Sequence, residues 1–190
     1  MTDKEILNIF KSEKALLSGH FLLSSGLHSP HYMQCALLLQ KPWIAQEICK
    51  ALAKKLAGIQ IDVVIGPALG GVLVSYEMGR ALKVKSIFAE RVDGQMTLRR
   101  GFGLKKKEKV LVVEDVITTG KSMQEVIELV RQEGAKLVAV ASIVDRSDGA
   151  AIFDVDLFTL LKINIKTYRP EMCPLCKEGR ISVTKPGSRA

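Results

Sequence analysis

Apolar residues recur along this chain with two different periods. Residues 3–17 place Ile6, Leu7, Ile9, Phe10, Leu16 and Leu17 at helical spacing, which predicts an amphipathic first helix. A short strand running into a turn is expected next, over Gly19-His20-Phe21-Leu22-Leu23-Ser24-Ser25-Gly26. Helical spacing returns over 43–57, with Pro42 just before its start and Trp43 beside it as a packing residue. From there the pattern alternates. Short continuous apolar runs at 61–65, 84–89, 110–113 and 137–144 predict strands, and a last strand is expected over 156–163. Helices are predicted over 70–82 and from Thr118 to Gln132. Residues 91–103 contain three glycines and no clear period, which predicts a long loop or a loose hairpin. The tail from Tyr168 reads as irregular.

Strands that are apolar throughout are buried on both faces. Alternated with helices, they imply an α/β fold: a central, mostly parallel sheet flanked by helices. A length of 190 residues suits one such domain with a small appendage. In open α/β sheets ligands gather beyond the carboxyl ends of the strands. The residues with unusual chemistry fall there three times. The strand ending at Ile65 runs into Gly66-Pro67-Ala68-Leu69-Gly70-Gly71, the strand ending at Val113 runs into Glu114 and Asp115, and the strand ending at Val144 runs into Asp145-Arg146.

Composition narrows the classes. Apolar residues make up 47% of the chain, enough for a substantial core, and no apolar run approaches the roughly 18–20 residues that a membrane span requires. A charged N-terminus with no apolar stretch behind it predicts a cytoplasmic protein that does not engage a membrane. The formal net charge of +8 and a pI near 9.4 are compatible with nucleic acid or with a small substrate bearing several phosphates. The cations are scattered apart from Lys105, Lys106 and Lys107, which read as a solvated turn, so charge does not choose between the two. Four cysteines in a chain of this class do not suggest a disulfide framework.

The segment Glu114-Asp115-Val116-Ile117-Thr118-Thr119-Gly120-Lys121-Ser122 carries the most specific chemistry. Two carboxylates stand where a strand leaves the core. Two hydroxyls, a glycine, a lysine and a serine open a helix, whose free N–H groups form an anion site. Acids at one end and a phosphate cradle at the other match a sugar phosphate, with ribose hydroxyls on the acids and the 5′-phosphate in the cradle. Gly120-Lys121-Ser122 imitates the end of a nucleotide-binding P-loop. That motif needs a glycine five residues before its Gly-Lys pair, and Asp115 occupies the position.

This segment resembles the phosphoribosyl pyrophosphate signature of type I phosphoribosyltransferases. Gly66–71 resembles the same family's pyrophosphate loop, here with Ala68, Leu69 and Gly70 against the diphosphate. Three further segments are similar to the orotate-specific branch: Phe21-Leu22-Leu23-Ser24-Ser25-Gly26-Leu27-His28-Ser29-Pro30, Phe88-Ala89-Glu90-Arg91, and Val144-Asp145-Arg146. Cys173-Pro174-Leu175-Cys176-Lys177-Glu178-Gly179 is similar to one branch of these enzymes.

The resemblance implies a single domain. Its core spans about 41–164, and a small hood is built from about 1–40 and 165–190. It also implies transfer of a phosphoribosyl group to orotate in pyrimidine biosynthesis, with Mg²⁺ carried on the substrate rather than on firm protein ligands. Residues 114–122 would bind phosphoribosyl pyrophosphate, with Asp115 catalytic. Thr118, Arg146, Ser25 and Gly26 would bind orotate. Arg91, with Arg99 or Arg100, would neutralise the leaving pyrophosphate from a mobile loop that covers the partner's site in a homodimer. The chain departs from the orotate pattern at Ser24, Val92 and Gln95, where many relatives carry lysine, and it has no histidine in the loop.

Two other functions stay open on the residues alone. A phosphoribosyltransferase for another base would not need Arg146 as a carboxylate partner, and a regulator on the same fold would tolerate the altered loop. Cys173-x-x-Cys176 is half of a zinc site, which two chains could complete as Cys₄; the spacing alone favours a reduced turn without metal. His28 and His31 could touch substrate, but a surface or satisfied histidine is the simpler expectation for each.

Overall fold

The computed structural model describes residues 1–23 and 25–186; Ser24 lies outside them, as do the last four residues assigned to the hood. In chain order the elements are α1 (Asp3–Ser12), β1 (Leu16–Leu22), β2 (His28–Met33), α2 (Cys35–Leu39), α3 (Pro42–Lys55), β3 (Val63–Pro67), α4 (Gly70–Leu82), β4 (Lys85–Val92), β5 (Gln95–Thr97), β6 (Lys109–Ile117), α5 (Lys121–Gln132), β7 (Lys136–Asp145), β8 (Leu157–Lys162), a 3₁₀ turn (Pro170–Met172) and α6 (Pro174–Glu178). Six strands form the central sheet in the order β5-β4-β3-β6-β7-β8, all parallel except β5.

The sheet is buried on both sides, and its strands divide their side chains between two apolar layers. Val64, Leu111, Val113, Ala139 and Ala141 face a layer closed by Ile6 and Phe10 of α1 and by Ile48 and Leu52 of α3. Val63, Ile65, Val110, Val112 and Val140 face the layer on α5. Through the middle of β3 and β6 the odd and even positions thus serve opposite layers, as the pleat requires. Met123, Val126, Ile127 and Val130 of α5 recur at i, i+3, i+4 and i+7 and are fully buried.

Four expectations change. The first helix ends at Ser12, because Lys14 takes a left-handed conformation and Ala15 N–H bonds back to the Phe10 carbonyl. Leu16 and Leu17 therefore open β1, paired with Met33 and Tyr32 of β2. The segment 91–103 begins as a tight hairpin: Asp93 and Gly94 both have positive φ, the signature of a two-residue type I′ turn, and set Val92 against Gln95. Trp43 does not pack; it is 67% exposed. The tail is ordered by pairing with the first hairpin: Thr184 brackets it through bonds to Leu22 and His20, and Tyr168 exchanges both backbone bonds with His28. The Lys105–107 stretch is exposed at a turn, as expected, and all four cysteines are free.

Candidate active site

The chain lays β3 and β4 on one side of the sheet and β6, β7 and β8 on the other, so the order reverses between β3 and β6. This reversal opens a crevice where the loops after β3 and β6 diverge. The pyrophosphate-like loop and the acidic strand end meet in it. A Cβ added to Gly70 would sit 2.5 Å from Asp115 Oδ1 and 2.7 Å from its Cγ, so the Gly70 backbone packs directly against that carboxyl. Gly66 is equally confined, its hypothetical Cβ lying 2.4 Å from the Gly71 carbonyl oxygen and 2.9 Å from that of Val113. Ala68 and Leu69 are exposed at the loop tip, joined by a cis peptide.

Glu114 and Asp115 are half-buried at the end of β6. Burial pushes the Glu114 carboxyl up to about 8, with the neighbouring Asp115 adding to the shift. Burial also raises Asp115, opposed by the Val116 amide, which donates to Oδ1 at 2.9 Å. Two adjacent half-buried acids with no ion pair among the described residues are costly in the ionised form. Hydroxyl donors or a hard cation would restore their charge.

Past Ile117 the chain turns into α5 through Thr118 and Thr119, both exposed, and Gly120, which is left-handed. A side chain on Gly120 would also press on Ala151 and Phe153, at 3.1 and 3.3 Å. Lys121 and Ser122 then start α5; its cap residue Gly120 offers no side-chain acceptor, and the Lys121 amide donates to the Thr119 hydroxyl at 3.4 Å.

Thr118 and Thr119 line a cavity of about 750 Å³ with Arg146, Asn164, Lys166, Tyr32 and Ser25. The size suits a small-molecule site. Arg146 is held at the end of β7 by its own amide, which donates to the Ile117 carbonyl at 2.9 Å. The simplest structural role for its guanidinium, an ion pair with Asp145 or Asp148, does not form. Asp145 accepts the Ser147 amide at 2.9 Å, Asp148 accepts Asn164 at 3.2 Å, and Arg146 has no ion pair among the described residues. Burial lowers the guanidinium from its ordinary value, with Tyr32 and Cys35 pulling it back. Asp148 also lines the cavity, but Arg146 is a half-buried cation with no ion pair among the described residues, and such a group is a receptor for an anion.

Residues 36–168 match the family model of the phosphoribosyl transferase domain. The orotate phosphoribosyltransferase of Carboxydothermus hydrogenoformans is 57% identical over 187 residues, covering 97% of both chains. That of Caldicellulosiruptor saccharolyticus is 57% identical over 189 residues, covering 100% of this chain and 98% of its own. The chain belongs to the orotate phosphoribosyltransferase family. Solved structures agree in fold. An orotate phosphoribosyltransferase from Aeropyrum pernix has a TM-score of 0.68 at 27% identity, over 83% of this chain and 93% of that one. The Mycobacterium tuberculosis enzyme in complex with inorganic phosphate has a TM-score of 0.69 at 22% identity, over 84% and 96%, which speaks for the fold alone.

The three arginines of the 91–103 segment are not equivalent. Arg91 is ion-paired with Glu125 of α5 and donates to the Gly94 carbonyl at 2.6 Å. Arg100 makes a two-pronged pair with Glu90 at 3.1 Å and stacks 5.7 Å from the Phe88 ring centre. Arg99 is exposed and has no carboxylate partner among the described residues. None of the three lines the cavity. Ser25 does line it, while the exposed Gly26 supplies the left-handed turn of the loop beside it. Tyr32, Asn164 and Lys166 were not evident as site residues from sequence, because each reaches the cavity from an element with no local motif. His31 is not at the cavity; its Nδ1 pairs with the Ser18 hydroxyl at 3.2 Å. His28 is buried and satisfied, as expected for a non-catalytic histidine.

Proposed function

We propose that the chain transfers the phosphoribosyl group of phosphoribosyl pyrophosphate to orotate, giving orotidine 5′-phosphate and pyrophosphate, in a cytoplasmic route to pyrimidine nucleotides. One observation carries the choice of base. The partnerless Arg146 guanidinium faces the same cavity as the Thr118–Thr119 turn, and a planar carboxylate is its natural complement.

The ring nitrogen of ionised orotate is already nucleophilic, so the reaction needs no strong protein base. The barrier lies in breaking the anomeric C–O bond, which places positive charge on the ribose and negative charge on pyrophosphate. Catalysis is positioning and electrostatic stabilisation. Glu114 and Asp115 accept the ribose hydroxyls, and the Asp115 charge favours the developing cation. Thr118, Thr119, Gly120, Lys121 and Ser122 hold the 5′-phosphate, and Val116 and Ile117 complete the segment that binds phosphoribosyl pyrophosphate. Ala68, Leu69 and Gly70 present backbone to the diphosphate. Ser25, Gly26 and Thr118 complete the orotate contacts. The hard oxygens of Glu114 and Asp115 fit Mg²⁺ held mainly by substrate oxygens, which would supply charge neutralisation on the diphosphate.

The hairpin arginines act on the leaving group when their loop closes, excluding water. Arg91 and Arg100 first release Glu125 and Glu90, and exposed pairs of this kind hold by only about 0–1 kcal/mol. Arg99 is ready without such a release. Closure over a partner's site in a homodimer is supported by Leu73 and Tyr76, exposed apolar residues at i and i+3 along α4. The division into a core of about 41–164 and a hood of about 1–40 and 165–190 is supported by Ser25, Tyr32 and Lys166, described hood residues that line the cavity.

Base selectivity tests the proposal. Pyrophosphate release from phosphoribosyl pyrophosphate should require orotate and should not be supported by adenine. Release with adenine and not with orotate would overturn the assignment of Arg146.

A further inference from the structure

Away from the cavity, four metal-ligating side chains converge inside the hood. His20 in β1, His28 at the start of β2, and Cys173 and Cys176 in the tail bring one ligand atom each to within 4.8 Å of one another. His20 Nε2 lies 2.8 Å from His28 Nδ1, 3.5 Å from Cys173 Sγ and 3.6 Å from Cys176 Sγ; His28 Nδ1 lies 3.2 Å from Cys176 Sγ. His20 and Cys173 are 3% and 0% exposed.

We infer that these four residues form a structural zinc site of the Cys₂His₂ type within one chain. Tetrahedral zinc with Zn–N near 2.0–2.1 Å and Zn–S near 2.3 Å sets nitrogen–nitrogen separations of about 3.3 Å and nitrogen–sulfur separations of about 3.6 Å. The three nitrogen–sulfur separations of 3.2, 3.5 and 3.6 Å lie near that value, the nitrogen–nitrogen separation of 2.8 Å is short of it, and no pair exceeds 4.8 Å, so side-chain adjustments admit the ion. The tautomer is already set. His20 Nδ1 donates to the Ile181 carbonyl at 3.0 Å, which leaves Nε2 as a bare lone pair aimed into the cluster. That outer hydrogen bond is the usual support of a zinc-bound histidine. Without an ion, one lone pair faces a second imidazole and two thiols, and it can accept from only one of them in plane. With the ion all four groups are satisfied, and the two thiols lose their protons to solvent on binding.

The tail gives an independent reason. Among residues 171–186 only Cys173 is buried, while Met172, Ile181 and Val183 are exposed. A segment with no core of its own needs a staple, and metal is one of the standard ones. The staple would fix the base side of the active site. His20 and His28 flank the loop whose Leu23, Ser25 and Leu27 line the cavity, and Pro186 of the tail lines it too. Donors of two imidazoles and two thiolates select zinc over the oxygen-loving Mg²⁺ of the reaction.

The test is metal analysis of the full-length protein purified without chelator, with Cys176→Ser, His20→Gln and, as a control, Cys49→Ser. About one zinc per chain is expected in the parent and the control, falling at least fivefold in the two ligand variants. Because a variant can misfold, the parent is also stripped of metal and titrated with Co²⁺. Tetrahedral thiolate-bound cobalt should give intense visible bands and sulfur-to-metal absorption in the ultraviolet, and Zn²⁺ should abolish both. Parent protein that purifies without zinc and gives no such bands would overturn the proposal. So would a His20→Gln protein that keeps its full zinc, since the cysteines of two chains would then hold it.

Discussion

Replacing Gly70 by alanine should separate folding from activity. The added methyl would lie 2.5 to 2.8 Å from all three carboxyl atoms of Asp115, inside any real contact distance. Its backbone φ is not in the left-handed region, and it opens α4, where alanine gains at most about 1 kcal/mol over glycine. Overpacking of this kind costs about 1–3 kcal/mol. The net cost in stability is therefore at most about 3 kcal/mol, and the domain stays folded. The strain relaxes by moving either the loop backbone or the carboxylate, because Asp115 is itself tied down by the Val116 amide. A displacement near 1 Å at a positioning group costs about 10²-fold. The assay is kcat/KM for phosphoribosyl pyrophosphate at saturating orotate, beside thermal unfolding of the same samples. A loss of about 10²-fold is expected, with a Tm within several degrees of the parent. An alanine variant whose kcat/KM stays within about threefold would show that the contact between the loop and Asp115 plays no part in donor binding or catalysis.

Asp115→Asn should fold normally by circular dichroism yet lose about 10²–10³ in kcat, because it removes charge beside a cationic transition state; a rate within twofold of the parent would end that role. Arg146→Ala should weaken orotate by about 1.5–3 kcal/mol in isothermal titration and leave phosphoribosyl pyrophosphate nearly unchanged; equal weakening of both would indicate a damaged fold. With Glu114 raised from 4.5 to about 8, the free site is largely protonated there at neutral pH. Donor affinity should rise by up to about tenfold per pH unit towards pH 8, then level, and Glu114→Gln should flatten the profile. The folded state holds this proton more tightly than the unfolded chain, so the same carboxyl makes stability fall as pH rises between 4.5 and about 8. A donor Kd independent of pH across that window would contradict the assignment.

The central sheet was legible because its signals are local. Strands β6 and β7 carry long apolar runs, each followed by a change of chemistry at Glu114-Asp115 or Asp145-Arg146, although β6 continues past its two acids to Ile117. The Asp93-Gly94 turn was equally local, and the dipeptide decides for the hairpin between the two readings that segment 91–103 allowed. The first helix was overextended because Leu16 and Leu17 satisfy a helical stripe as well as a strand; pairing with β2 decided between them. Trp43 looked like core by residue type, but its side of α3 has nothing packed over it among the described residues. What could not be read is long-range. His20 and Cys173 are 153 positions apart, and no spacing rule links them. The missing carboxylate partner of Arg146 is likewise a fact of geometry, since sequence places Asp145 and Asp148 beside it.

The most direct measurement of the central claim follows the ultraviolet absorbance of orotate after the protein is mixed with orotate, phosphoribosyl pyrophosphate and Mg²⁺. Absorbance should fall until the limiting substrate is consumed, with one pyrophosphate released for each orotate lost, and the Arg146→Ala protein should be slow at the same orotate concentration. Unchanged absorbance at protein concentrations matching the substrate, in a sample shown to be folded, would contradict it.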